Sequence, residues 1–219
     1  MSRTIEDVMP NHDKLTAALV RLTDGRANGA SLPSLAQIAD SAGLELDIAR
    51  DIVEDEHELM IAVAEVALIK MIDWTTRRIT SAPVDDPVAQ ITALGEAYLD
   101  WAFDDLAAFR VIYDRRYIDL DNEPRLSRYA ESIRRLVLGL IERARDSGRI
   151  SRDADIDVLM LAARAFVYGL ARMAADDHLQ GWVPTEEPLE LSKRSFRDYV
   201  SRMVGDQSAA ALNGTIPVV

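Results

Sequence analysis

Apolar residues recur three and four positions apart along almost the whole chain, which is the spacing of one face of an α-helix. Leu15, Leu19 and Leu22 form the first such stripe. No run of alternating β-branched residues bounded by hairpin turns occurs in the sequence, so the pattern predicts an all-α protein. With 48% hydrophobic residues among 219, the chain can bury a sizeable core.

Short polar segments separate about nine predicted helices. The strongest breaker is SAPVDDP, residues 81–87, because each proline restricts its own backbone and that of the preceding residue. The predicted helices cover residues 11–24, 34–41, 45–52, 55–80, 87–104, 105–117, 124–147, 153–180 and 188–205. Residues 206–219 are predicted to form a flexible tail.

Residues 34–59 have the spacing of a helix-turn-helix. Ser34 and Gln37 match a capping box, in which each side chain satisfies a backbone N–H group at the start of a helix. Gly43 supplies the turn before a short third helix, and a second box at Asp55–Glu58 begins a long fourth helix. We therefore expect a three-helix domain at 1–54 and a larger helical domain at 55–205.

The helix-turn-helix segment is strongly acidic. The net charge of the chain is −12, and between positions 40 and 58 Arg50 is the only Lys or Arg, beside eight carboxylates. DNA-binding surfaces gain much of their affinity from Lys and Arg contacts with phosphate, so this charge disfavours tight non-specific binding of DNA. Either the segment reads DNA with unusual charge, or it has kept the fold and lost the DNA.

The same residues resemble the N-terminal domain of the TetR family of bacterial transcriptional regulators. The family stretch Thr/Ser-x-x-x-Ile-Ala-x-x-Ala-Gly-Val is matched in register by Ser34, Ile38, Ala39, Ala42, Gly43 and Leu44. The sequence departs from the family at the surface, where Ser, Tyr, Phe and Lys are usual and this chain has Glu45, Arg50, Val53 and Glu56. Further along, AFVYGLARM at 165–173 resembles the Trp-His-Gly element of one TetR subgroup, with Gly169 retained.

This resemblance implies a homodimeric regulator, which we expect to be a repressor that binds operator DNA and is released by an apolar small molecule. The residues that would contact DNA are Ser34, Leu46, Asp47, Arg50, Asp51, Lys14 and Arg26. Base reading is compatible with these side chains, since carboxylates accept from cytosine and Arg can bind guanine. The alternative is a protein of the same fold that acts through a protein partner or a ligand without DNA.

Aromatic residues and methionines in the C-terminal part are candidates for a ligand pocket. The set comprises Met71, Trp74, Tyr98, Trp101, Phe109, Tyr113, Phe166 and Met173. For any one of them a place in the ordinary core is the simpler interpretation. As a set, in a chain that resembles a ligand-responsive family, they are expected to line a cavity for an apolar small molecule.

Two helices near the C-terminus have apolar faces wide enough to pair with a second subunit. The candidate dimer interface comprises Ile133, Leu136, Leu140, Leu161, Ala165 and Gly169. The resemblance implies a two-fold four-helix interface. The alternative is that the helix at 153–180 is a central helix of the monomer core.

The sequence offers little support for catalysis. His57 and Glu58 begin the zinc-protease motif His-Glu-x-x-His, but Ile61 stands where the second histidine would be. The chain has no cysteine, which excludes disulfides, thiolate metal sites and cysteine nucleophiles, and no glycine-rich phosphate loop. We expect no enzymatic activity, no metal site and no cofactor.

The start of the chain lacks the apolar stretch of a secretory signal, and no run approaches the roughly 18–20 apolar residues of a membrane span. We therefore expect a cytoplasmic protein that does not associate with membranes.

Overall fold

A computed structural model describes residues 5–24 and 31–212, and within them the side chains of 11–24 and 31–204. In these ranges the chain forms ten α-helices and no strand, which confirms the all-α fold. The helices are α1 Ile5–Thr23, α2 Leu35–Ser41, α3 Leu46–Arg50, α4 Glu56–Ser81, α5 Pro87–Asp104, α6 Leu106–Ile112, α7 Ser127–Asp146, α8 Ile156–Ala175, α9 Leu179–Trp182 and α10 Pro188–Leu212.

Several helix boundaries differ from the predicted ones: α6 ends at Ile112 rather than at residue 117, α7 begins at Ser127 rather than at 124, and α8 begins at Ile156 rather than at 153. The predicted helix at 153–180 ends at Ala175, because Asp177 has a left-handed backbone (φ 57°) that interrupts it before the short α9. The first helix begins at Ile5 rather than at residue 11. The last helix continues to Leu212, so only residues 213–219 of the predicted tail lie outside the described residues.

The chain divides into two compact units. Unit 1 comprises Met1–Ile69 and Asp105–Ala130, and unit 2 comprises Lys70–Asp104 and Glu131–Val219. The boundary predicted between residues 54 and 55 stays a prediction, and unit 1 contains the N-terminal helices together with the later segment Asp105–Ala130. A capping pattern shows where a helix begins, but it does not show which later segment packs against that helix.

In unit 1, α1 packs against α2 and α6, and α2 packs against α3. The largest fully buried side chains of this unit are Leu15, Leu19, Ile38, Leu59, Met60, Phe109, Ile112 and Leu126. Arg110 on α6 holds Asp24, at the end of α1, through two hydrogen bonds: Nε to Oδ1 at 2.6 Å and Nη2 to Oδ2 at 3.0 Å. This bidentate pair joins the segment 105–130 to the N-terminal helices.

In unit 2, α5, α8 and α10 pack against one another, and α9 packs against α8. The approach of α5 to α10 is close at Gly95, where an added Cβ would lie 2.0 Å from Cε1 of Phe196. A side chain at position 95 would collide with a ring that is 2% exposed, so glycine is required for this packing.

Among the helices that the structure describes, α8 alone is long and apolar enough by length and composition to cross a membrane. It is not an uninterrupted apolar run, because Arg164 and Arg172 lie within it. The core helix of a soluble protein meets the same criterion, and α8 packs against three other helices of unit 2. This helix alone gives only weak evidence of a membrane span.

Candidate functional site

The turn between α2 and α3 has the geometry of a helix-turn-helix. Oγ of Ser34 accepts from the backbone N–H of Gln37 at 3.4 Å, and Oε1 of Gln37 accepts from the backbone N–H of Ser34 at 3.0 Å. The predicted capping box is therefore confirmed. Gly43 adopts φ +68°, the left-handed conformation that favours glycine, and lets the chain turn into α3.

Helix α3 is short and anchored by one fully buried side chain, Ala49. Glu45, the capping residue before α3, makes no side-chain capping bond. The serine usual at this position of the resembled family would supply such a bond. Asp47 and Arg50 are exposed and lie 3.6 Å apart, with 92% and 63% of their side chains accessible. The exposed face of α3 therefore offers hydrogen-bonding groups but little net positive charge.

The other residues predicted to contact DNA lie as follows. Ser34 is exposed at the start of α2, and Lys14 is exposed on α1. Leu46 is half-buried at the start of α3, and Asp51 is exposed at its end. Arg26 lies outside the described residues. Four of the predicted residues, Leu46, Asp47, Arg50 and Asp51, thus lie on α3 or at its C-terminal cap.

Two carboxylates of the acidic segment, those of Asp55 and Glu58, form hydrogen bonds with backbone N–H groups at the start of α4. Oδ1 of Asp55 accepts from the backbone N–H of Glu58 at 2.7 Å, and the Glu58 carboxylate accepts from the backbone N–H of Glu54. Carboxylates at this helix end satisfy free N–H groups and suit the positive end of the helix dipole. Val53 is 5% exposed and fills the core position at which the family usually has Phe.

A second acidic site in unit 1 was not anticipated from the sequence. The Glu65 carboxylate on α4 accepts hydrogen bonds from Nη2 of Arg125 at 2.8 Å, Nη2 of Arg128 at 2.9 Å and the hydroxyl of Tyr129 at 2.9 Å. The Arg125 bond and then the Tyr129 bond hold the pKa of Glu65 below its usual range. These contacts fix the start of α7 to the middle of α4.

Unit 2 contains a buried group of charges that the sequence also did not reveal. Asp100 on α5 pairs with Lys193 on α10, and Nη2 of Arg78 on α4 lies 2.8 Å from Oδ2 of Asp100. Only 6% of the Asp100 side chain and 9% of the Lys193 side chain are exposed. One signal was available, since Lys193 shares the buried stripe of α10 with Phe196 and Val200, at spacings of three and seven residues.

The predicted pocket residues fall into both units. Phe109 and Tyr113 belong to unit 1, where their ring centroids lie 4.9 Å apart. The others belong to unit 2 and are Met71, Trp74, Tyr98, Trp101, Phe166 and Met173. Unit 2 therefore holds the larger part of the predicted set.

Sequence reasoning missed two aromatic residues of unit 2. Tyr199 stacks on Phe166 at 4.6 Å between ring centroids, and Phe196 lies 6.5 Å from Phe166. Burial raises the pKa of the Tyr199 hydroxyl. With these residues, apolar and aromatic side chains of α5, α8 and α10 form the interior of unit 2.

The candidate dimer residues differ in exposure. Leu161 is 70% exposed, and Val158, which was not predicted, is 59% exposed. Ala165 is exposed one turn further along α8. We call Val158, Leu161 and Ala165 the α8 stripe.

The remaining candidate dimer residues are covered to different extents. Leu136 is 36% exposed, and Ile133 and Gly169 are half-buried. Leu140 is only 2% exposed, so within one subunit it already belongs to the core of unit 2.

Among the described residues no group of His, Cys, Asp or Glu is arranged to hold a metal ion.

Comparison with known families identifies the C-terminal part of the chain. Residues 91–199 match the model of the tetracyclin repressor-like C-terminal domain. No curated protein matches the chain.

Solved structures of similar fold cover nearly the whole chain. A bacterial regulatory protein in the tetR family from Rhodococcus RHA1 is 18% identical, covers 89% of this chain and 96% of its own, and gives a TM-score of 0.67. The ketosteroid transcriptional regulator KstR2 of Mycobacterium tuberculosis is 15% identical, with 93% and 96% coverage and a TM-score of 0.66. The fatty acid degradation regulator FadR from Bacillus halodurans is 11% identical, with 91% and 96% coverage and a TM-score of 0.63. At these identities the likeness establishes the fold.

Proposed function

The C-terminal domain of this chain, residues 91–199, belongs to the tetracyclin repressor-like family, and we propose that the protein is a TetR-type transcriptional regulator that binds operator DNA as a homodimer. The observation that carries this proposal is the capped α2, the left-handed Gly43 turn and the exposed α3 that follows it. A regulator acts where the chromosome lies, so the proposal includes the predicted cytoplasmic location.

Two subunits would place their α3 helices in successive major grooves of a two-fold symmetric site. Arg50 can donate to the O6 and N7 atoms of guanine, and Asp47 or Asp51 can accept from the N4 amino group of cytosine. Few cations are available for phosphate. We therefore expect modest affinity for random duplex DNA and clear preference for one sequence.

The proposed effector is an apolar small molecule held in unit 2. Support comes from the aromatic and methionine side chains of this unit, and from the names of two structural neighbours, a ketosteroid transcriptional regulator and a fatty acid degradation regulator. The effector must bind the DNA-free arrangement more tightly than the DNA-bound one in order to release a repressor.

A second candidate function is a regulator that has lost DNA binding and acts through a protein partner. The observation that favours it is the pairing of Arg50 with Asp47, since Arg50 is the only cation between residues 31 and 58. A partner of this face would have to be basic.

Selection of duplexes from a random library by the purified dimer separates the two candidates. The proposal predicts enrichment of one two-fold symmetric sequence by the parent protein. Arg50→Ala should no longer distinguish the bases at one base pair of each half-site. The difference in binding free energy between the right and the wrong base there should fall by about 1–3 kcal/mol.

Arg202→Ala is the matched control, because Arg202 is 73% exposed on α10. This variant should select the same sequence as the parent. Absence of enrichment by folded, dimeric parent protein would favour the DNA-independent function.

A further inference from the structure

The last residue of α9 and the residue after it present two apolar side chains to solvent. Trp182 is 80% exposed and Val183 is 50% exposed. Tryptophan is large and mostly apolar and is highly buried on average in folded proteins. A tryptophan with most of its surface in water therefore points to a contact made outside the subunit.

The side chain of Gln180 holds residues 180–185 in a fixed conformation. Nε2 of Gln180 donates to the carbonyl oxygen of Thr185 at 2.6 Å, and Oε1 of Gln180 accepts from the backbone N–H of Thr185 at 3.0 Å. The two bonds close residues 180–185 into a turn while Trp182 stays uncovered. An anchor that is ordered before its partner arrives loses less conformational entropy on binding.

The other exposed apolar surface of the neighbouring helix is the α8 stripe. Val158 and Leu161 lie in the N-terminal half of α8, and α9 follows the C-terminal end of α8 and packs against it. Val158 and Leu161 therefore lie toward the N-terminal end of α8, and Trp182 follows its C-terminal end. Leu161 lies 14 residues before the end of α8 at Ala175, which is about 21 Å along the helix axis at about 1.5 Å per residue.

A two-fold pairing of α8 with its own copy would bring these two ends together. When two copies of a helix cross in antiparallel sense, the C-terminal end of each lies beside the N-terminal half of the other. Close approach is possible at Gly169, in the C-terminal half of α8, because glycine has no side chain and even an added Cβ would have no atom of the subunit within 4 Å. Because the two subunits are related by a two-fold axis, each contact between two residues occurs twice in the dimer.

We propose that Trp182 and Val183 of each subunit dock on Val158 and Leu161 of a second copy of this chain. The inference rests on the homodimer of the proposed function and adds a contact outside the helix pairing. A stable dimer buries on the order of 800 Å² per partner, and the α8 stripe has only three side chains. Two tryptophans, each burying on the order of 150–250 Å², extend the interface toward that size.

Sedimentation velocity over a series of protein concentrations measures the contribution of Trp182 to dimerisation. Trp182→Ala removes both anchors, so the dissociation constant of the dimer should rise at least about 100-fold. Gln180→Ala leaves the indole in place but releases the turn, and should raise the constant by a smaller factor.

Val84→Ala is the matched control. Val84 is 73% exposed in the segment before α5, and its loss should leave the dissociation constant unchanged. Since the side chains of Trp182 and Val84 are both largely exposed, neither variant should unfold the subunit.

Cross-linking tests the contact itself, because the chain contains no cysteine. Proteins carrying Trp182→Cys and Leu161→Cys, each with a different tag, are mixed and oxidised. The inference predicts a covalent dimer with both tags. The pair Val84→Cys and Leu161→Cys should give none.

The outcomes separate this inference from the function on which it rests. A parent protein that dimerises, with Trp182→Ala unchanged and no cross-link, overturns the docking of Trp182 and leaves the homodimer intact. A parent protein that is monomeric at every concentration overturns both.

Discussion

Asp100 on α5 and Lys193 on α10 form an ion pair in the interior of unit 2, where less than a tenth of either side chain is exposed. One helical turn away, Glu96 on α5 pairs with Arg197 on α10. As the residue number rises along α5 it falls along α10, so the two pairs run along an antiparallel helix contact. Together they fix the register of the last helix.

Replacing Asp100 should lower the free energy of unfolding more than replacing Lys193. Asp100→Asn leaves Lys193 buried without its full counter-charge, and should lower the free energy of unfolding by about 3–5 kcal/mol. In Lys193→Met, Arg78 still pairs with Asp100 and an apolar side chain fits the buried stripe. Urea unfolding followed by circular dichroism measures both. Equal losses would contradict the asymmetry.

Glu65 should make stability depend on pH in the acid range. Its pKa is lowered from 4.5 by the Arg125 and Tyr129 hydrogen bonds. A carboxyl group with a lowered pKa in the folded state stabilises the protein above its unfolded pKa, and this contribution is lost as the pH falls through the folded value.

The variant that tests this dependence is Glu65→Gln. It should be less stable than the parent at neutral pH, and the difference should shrink as the pH falls below about 4.5. Urea unfolding at several pH values measures it. Glu142→Gln, an exposed position on α7, is the control. A difference that stays constant with pH would rule out the proposed role of the Glu65 charge.

Two glycines should respond to alanine in opposite directions. Gly95→Ala places a Cβ against Phe196 and should destabilise the protein by about 1–3 kcal/mol. Gly139→Ala meets no atom within 4 Å inside α7, and should stabilise it by about 0.5–1 kcal/mol through helix propensity. Melting temperatures by calorimetry decide the sign of each. Tolerance of Gly95→Ala would mean that α5 and α10 do not pack as closely as described.

Charge at the start of α4 should control non-specific DNA affinity. Glu56 is half-buried at the first residue of α4, where the resembled family usually has Lys. Glu56→Lys should raise the affinity for any duplex and steepen the slope of log K against log salt by about 0.9, because one more phosphate is contacted. Fluorescence anisotropy with a labelled random duplex measures the slope.

The control for this charge effect is Glu186→Lys, an exposed position in the segment before α10. It makes the same change of charge in unit 2, and the slope should equal that of the parent. Equal slopes for the parent and Glu56→Lys would mean that the start of α4 does not meet DNA.

Local signals in the sequence predicted the helices well. The Ser34–Gln37 capping box and the Gly43 turn are both present, and the breaker at 81–87 falls between the end of α4 at Ser81 and the start of α5 at Pro87. Each signal depends on residues within one turn of one another. The interruption at Asp177 was missed because an aspartate in the left-handed conformation has no marker such as glycine or proline.

Contacts between distant helices could not be predicted in the same way. Helical spacing placed Leu140 on an apolar face of α7, but it did not show that the face is already covered inside unit 2. Nor did the sequence show that Asp100 would meet Lys193, since the two lie on different helices far apart in the chain. A lysine on an otherwise apolar stripe was the available sign of such a pair.

The central claim is that α3 reads bases despite its acidic surroundings. It is tested most directly by incubating purified, dimeric protein with sheared genomic DNA from its source and sequencing the fragments retained at low and then at moderate salt. The account predicts few retained fragments at either salt, with one palindromic sequence enriched and still bound at moderate salt. Retention of no sequence above background at both salts, by protein shown to be folded and dimeric, would contradict it.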